Sequence, residues 1–289
     1  MRDYAITTDS SCDFDQALAD SLGVTVVPLS VQIGPRRFRN APGEAMDSHS
    51  FYQLLSQGEL AQTSAPNVEE FKAVWRPILQ SGRDLLYLGF SSGLSGTYHN
   101  AAIAAEDLRE EFPEARIITV DTLCASLGQG MLVDLTVQEK RQGKTLDEAA
   151  AFAEKNRLHL CHWFTVGDLS QLRRGGRLSA GKAIVGNLLN IKPVLHVDDE
   201  GHLVPMASAK GRKKSIEALV SHMEESAVAP EQQRVYISHG DCLADAQLLA
   251  QMVRDRLHVS SVTIGDVGPV IGAHSGVGTL ALFFVGTHR

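Results

Sequence analysis

The stretch Asp84-Leu85-Leu86-Tyr87-Leu88-Gly89-Phe90, then Ser91-Ser92-Gly93-Leu94-Ser95-Gly96-Thr97, then the alanine-rich run Tyr98–Phe112 decides the fold class. The first part is an apolar run of strand length. The second is a polar turn broken by glycines. The third carries the spacing of an amphipathic helix. A helix N-terminus presents unpaired backbone N–H groups and the positive end of its dipole. Glycines let a ligand approach the backbone, and hydroxyls add donors that rotate to suit. Together they suit an anionic head group, carboxylate or phosphate. Serine and threonine are also ordinary helix caps, so one hydroxyl would carry no information. Four in seven residues exceed what capping requires.

Outward from this stretch, short β-type runs alternate with helical patterns. Tyr4–Thr8 reads as a strand, Asp9-Ser10-Ser11 as a turn and Asp13–Leu22 as a helix. Val24–Ile33 reads as one β-rich run, with Pro28 marking an edge or bulge. Pro35–Pro42 reads as basic and irregular. Ser48–Leu55 is helical. Thr63-Ser64-Ala65-Pro66-Asn67 reads as a second hydroxyl-rich turn before a helix. Arg116–Val120 is a strand ending in Asp121-Thr122, and helices follow over Ser126–Arg141 and Thr145–Asn156, with Thr145 and Glu148 at capping-box spacing. This βαβα series predicts a mostly parallel sheet with helices on both faces, and ligands beyond the carboxyl ends of its strands. The three post-strand turns at Asp9, Ser91 and Asp121 should gather along that edge.

From His159 the character changes. Strands at His159–Val166, Lys192–Val197, His202–Ala209, Arg234–Ser238, Val259–Ile264 and Leu280–Val285 include an apparent hairpin, so a mixed sheet is expected. Helices are expected at Asp168–Arg174, Ala180–Asn190, Lys210–Glu225 and Ala244–Leu257. The boundary is placed near Asn156–Leu158, giving an N-terminal α/β domain over 1–157 and a C-terminal α/β domain over 158–289.

Composition narrows the function class. In 289 residues, 27 basic against 34 acidic side chains leave a net charge of −7, which argues against non-specific nucleic-acid binding. Hydrophobic content of 44% supports a substantial core. No apolar run reaches bilayer-spanning length, and the N-terminus lacks a signal-peptide pattern. Cys12, Cys124, Cys161 and Cys242 form no CxxC pair and read as reduced thiols. A cytoplasmic protein is the expectation. Transient membrane contact is compatible with it; an integral span is not.

Several motifs invite chemistry. Gly89-Phe90-Ser91-Ser92-Gly93 fits the G-x-S-x-G elbow of serine hydrolases, and Asp241 and His274 supply the order Ser, Asp, His. This hydrolase using Ser91 is the alternative reading. A second hydroxyl turn at Thr63-Ser64, which a triad does not need, favours head-group binding instead. The run from Gly176 to Ala183 nearly matches a P-loop but places Ala183 where the magnesium-binding hydroxyl belongs. His159, Cys161 and His162 would split across the two faces of a strand, which argues against a metal. His274, between Gly272 and Gly276, reads as an exposed, tightly turned ligand contact. Lys210-Gly211-Arg212-Lys213-Lys214 is a solvated helix face or a dock for an acidic partner.

The ordered set Thr8-Asp9-Ser10-Ser11, Thr63-Ser64-Ala65-Pro66, Ser91 through Thr97, Asp121-Thr122, Leu172 through Ser179, Ile191-Lys192-Pro193-Val194 and the glycine-rich segment around His274 resembles the DegV family, over essentially the whole chain. That family includes the fatty-acid-binding subunit of bacterial fatty acid kinase. Its Thr-Ser-x-Pro-Ser motif ends here in Asn67. The resemblance implies two α/β domains with a long-chain fatty acid between them and no catalysis or cofactor of the chain's own. It implies that Thr63, Ser95 and His274 hold the carboxylate, with Ser64, Ser92 and Gly96 as neighbours. It further implies a separate kinase subunit that phosphorylates the acid for phospholipid metabolism, with Arg212 assisting its docking.

Overall fold

The computed structural model describes residues 2–44, 46–178 and 190–289. The helix expected over 180–190 falls almost wholly outside these residues, as does the end of the P-loop-like run. In chain order the first elements are β1 (Tyr4–Asp9), α1 (Gln16–Leu22), β2 (Thr25–Val27), β3 (Ser30–Ile33), β4 (Arg36–Arg39), α2 (Ser48–Ser56), β5 (Ala61–Ser64), α3 (Val68–Gln80), β6 (Asp84–Gly89), α4 (Thr97–Glu111), β7 (Ile117–Asp121), α5 (Ser126–Arg141) and α6 (Leu146–Asn156). Then follow β8 (Leu160–Thr165), α7 (Ser170–Arg174), β9 (Ile191–Val197), β10 (Leu203–Lys210), α8 (Arg212–Ser226), β11 (Arg234–His239), α9 (Leu243–Leu257), β12 (Ser261–Asp266), α10 (Pro269–Ser275) and β13 (Leu280–Val285).

Strands β2-β1-β6-β7 form a parallel sheet. The run Leu85–Leu88 is buried on both faces, because successive side chains point to opposite sides. Leu85 and Tyr87 pack with Phe71 and Trp75 of α3 and Ala101 and Ala105 of α4. Leu86 and Leu88 pack with Leu127 and Met131 of α5 and Ala149 of α6. The second sheet runs β10-β9-β8-β13-β11-β12, and only its β11–β12 pairing is parallel.

Helix α5 joins the two sheets. Eleven of its sixteen residues are buried, so it is no ordinary surface helix. It touches β1 and β6 on one side and β8, β11 and β13 on the other. Two glycines permit the close fit. A side chain at Gly128 would collide with His162 and Phe283, and one at Gly130 would meet Phe14 at 2.5 Å. One apolar core therefore runs continuously from Ile6 through Leu132 to Phe283.

Three expectations change near the N-terminus. The run Val24–Ile33 is two strands, because Pro28 has no N–H to continue a ladder. Strand β2 edges the parallel sheet, and β3 enters a separate antiparallel sheet ordered β4-β3-β5. The supposedly irregular 35–42 contains β4, turned back on β3 at Gly34, whose φ is +52°. Thr63 and Ser64 lie within β5, and the turn follows them; Asn67 then caps α3 through a capping box with Glu70.

Candidate functional site

The turns after β1, β6 and β7 do converge, but they scaffold one another. Buried Asp9 accepts from Tyr87 Oη (2.7 Å), Phe90 N–H (2.9 Å) and Ser11 N–H (3.0 Å). Asp121 Oδ1 accepts from Ser92 N–H at 3.2 Å, and Thr122 Oγ1 donates to the Gly89 carbonyl at 2.7 Å. These bonds hold the Ser91–Thr97 turn against the sheet edge.

Ser91 is fully buried. Its hydroxyl donates to the Gly201 carbonyl at 2.8 Å and accepts from Gly93 N–H at 3.2 Å, tying the β9–β10 turn to the parallel sheet. Asp241 faces His49 at 2.9 Å, and His274 faces Thr63. The elbow serine, the aspartate and the histidine thus engage three different partners and form no relay.

A cavity of about 220 Å³ lies beside this turn. Apolar residues line it: Phe164, Leu203 and Phe283 from the mixed sheet, Phe90 and Leu94 from the turn after β6, and Val270 from α10. Thr63, Ser95, Gly96 and His274 line it too. Thr63 Oγ1 lies 2.8 Å from His274 Nε2, although 211 residues separate them in the chain. Ser95 Oγ accepts from Thr97 N–H at 3.2 Å and pairs with Thr97 Oγ1 at 2.8 Å, which fixes its position at the start of α4. Space at Gly96 is open. The alternation of β5 sends Thr63 toward the cavity and leaves Ser64 exposed. Ser92 is also exposed and does not line the cavity.

His274 is not in an exposed tight turn. It occupies the last turn of α10 and is half-buried. Burial, and then the nearby Arg177 charge, push its pKa down from 6.5 to about 4. Near neutrality the ring is uncharged and grips by hydrogen bonding. Gly175 makes room for it: a Cβ there would stand 2.5 Å from His274 Nδ1.

Arg177 was not singled out as a site residue. Its side chain lines the cavity, with Nε donating to the Leu94 carbonyl at 3.2 Å and Nη1 donating to Gly175 O. Among the described residues no carboxylate pairs with it, so it brings a net positive charge to the head end. Its signal in the sequence was its place in the run Leu172 through Ser179 that carries the family resemblance. Ser275, beside His274 in sequence, lines the same cavity with a buried Oγ that has no hydrogen-bond partner among the described residues. Arg212 is placed elsewhere. Its guanidinium donates to Asp245 (2.8 Å) and Cys242 Sγ (3.3 Å), and Cys242 in turn donates to the carbonyl of Thr279 in the cavity wall.

A family model described as an uncharacterised protein of the DegV family matches residues 3–287. The chain belongs to the DegV family. A DegV domain-containing protein of Clostridium perfringens is 41% identical over 99% of this chain and 98% of its own length. Among solved structures, a DegV lipid-binding protein of Thermotoga maritima superposes with a TM-score of 0.88 at 28% identity, covering 99% of both chains. A fatty-acid-binding DegV family protein of Thermus thermophilus gives 0.87 at 33% identity, covering 98% of this chain and 99% of its own. Both folds match the parallel and mixed sheets described above. No helix among the described residues is long and apolar enough to cross a membrane.

Proposed function

We propose that this DegV protein is a non-catalytic carrier of a long-chain fatty acid. The observation that carries the reading is one largely apolar cavity whose wall includes Thr63, Ser95, Gly96, His274 and Arg177. The hydrocarbon tail supplies affinity: about 15 methylenes at about 0.8 kcal/mol each give roughly 12 kcal/mol gross, before the costs of binding. The head end sets orientation. Arg177 offers the countercharge, Thr63 and Ser95 offer hydroxyl donors, and the neutral imidazole adds one N–H when its tautomer allows. Ser275 offers a further hydroxyl. Ser64 and Ser92 take no part in this arrangement.

The same reading treats 1–157 and 158–289 as two lobes. All strands of the parallel sheet precede that point, and all six strands of the mixed sheet follow it. Delivery of the carboxylate to a separate kinase subunit is the finer part of the reading and rests on the family resemblance. Arg212 enters it as a residue that positions the cavity wall through Cys242 and Thr279, and as a docking cation only after its bond to Asp245 is released.

Native mass spectrometry before and after delipidation tests the carrier. The expected result is a co-purified long-chain acid, its loss on delipidation, and a rise in melting temperature when it is restored. Protein that neither carries nor takes up such an acid refutes the reading.

A further inference from the structure

The cavity is not apolar throughout. Ser126, at the start of α5, and Ser238, on β11, both line it. Their hydroxyls lie 3.0 Å apart. Behind them, Asp13 Oδ2 accepts from Ser126 Oγ at 2.5 Å, and Asp13 Oδ1 accepts from Gly268 N–H at 3.1 Å. Hydrocarbon faces Ser238 on the sheet, where it sits across from Ala281 and Ala281 across from Phe164; beside Ser126 the wall also carries His162, whose Nε2 accepts from Ala125 N–H at 3.4 Å. A wholly apolar tail gains nothing from two hydroxyls here, and the lone pairs left after they bond to each other and to Asp13 go unmatched beside it. Alanine at Ser238 would suit such a tail better.

The backbone points the same way. Ser126 holds a φ of +55°, a left-handed conformation in which glycine is at ease and other residues are strained. A side chain is retained at a position where losing it would relieve strain, and such outliers collect where a side chain is needed. A hydroxyl has one donor and two acceptor positions. The Ser126–Ser238 bond can run in either direction, and either way Ser238 keeps an acceptor lone pair. The pair can therefore accept a hydrogen bond from a ligand.

We propose that the tunnel prefers long-chain acids with a hydroxyl on the hydrocarbon chain, which donates to the Ser126–Ser238 pair while the carboxyl sits at Thr63, Ser95 and His274. This rests on the fatty-acid reading above and names the ligand class within it. Asp13 is a positioning residue: it fixes the Ser126 hydroxyl and does not touch the ligand.

The test is competition for delipidated protein between stearic acid and a panel of hydroxystearic acids that differ in hydroxyl position. At least one mid-chain isomer should bind about tenfold more tightly than stearic acid, which is ~1.4 kcal/mol. Ser238→Ala should bring that ratio close to one. Ser126→Gly should do the same; it relieves backbone strain but takes a partner from buried Asp13, so a thermal melt of each variant confirms that it is folded. The proposal is overturned if stearic acid outcompetes every isomer on the parent protein, or if the preference survives both substitutions. Stearic acid binding with no hydroxyl preference leaves the carrier standing and refutes this inference alone. Binding of neither acid refutes the carrier reading, and this inference with it.

Discussion

Gly175→Ala is a sharp perturbation of the head end, because it acts on His274 without removing a functional group. The glycine's backbone is not in the left-handed region (φ −72°), so it is needed for space. An added Cβ would stand 2.5 Å from His274 Nδ1, where ordinary contact begins near 3.4 Å. The ring must yield by about 0.9 Å. It cannot slide toward Thr63, since Nε2 is already 2.8 Å from Oγ1. It must swing out of line and lose that hydrogen bond. The net value of one such bond is about 1 kcal/mol, or roughly fivefold in affinity, and about 3 kcal/mol if a buried partner is left unpaired. Displacement of a fluorescent fatty acid measures the loss, with a thermal melt to confirm folding. In a His274→Ala background the same glycine substitution should be silent, since its effect runs through the ring. Unchanged affinity in Gly175→Ala, with the parent's melt, refutes the claim that His274 is wedged between Gly175 and Thr63.

Three further outcomes are expected. Loading with fatty acid should move the His274 titration upward from about 4, because a bound carboxylate favours the imidazolium; an NMR titration that does not move places the carboxylate elsewhere. Burial raises the Asp13 pKa from 3.8 to about 8, against the bonds from Ser126 and Gly268. Folding therefore takes up a proton there, and the Asp13 contribution is complete at acid pH and lost as pH rises through about 8. Asp13→Asn should gain on the parent across that interval in chemical melts; a constant difference would contradict it. Ser91→Ala should destabilise by about 1–3 kcal/mol, through the carbonyl of Gly201 left without its donor, and neither parent nor variant should take a fluorophosphonate label. Labelling of Ser91 in the parent would restore the hydrolase reading.

Local pattern by itself determined the order of elements outside 24–64, the parallel first sheet, the mixed second one and the hydroxyl-rich turn before α4. Those features rest on periodicity, glycine stops and caps, which a few neighbouring residues encode. Even there, Pro28 marks an edge or bulge by its chemistry, and the structure makes it the stop after edge strand β2 and a break before β3, because which sheet a strand joins depends on partners far along the chain. The sequence also held the motif containing Thr63, Ser64, Ser92, Ser95, Gly96 and His274, but not which of these converge. Only the tertiary structure separated Thr63 from Ser64 by strand parity and brought His274 across 211 residues. It also put Arg177 at the cavity, committed Ser91 to a carbonyl and engaged Arg212 with Asp245. A site assembled from β5, the turn after β6, α10 and the mixed sheet is a set of long-range contacts, and no local periodicity records a distance between residues that meet only when the core around α5 closes.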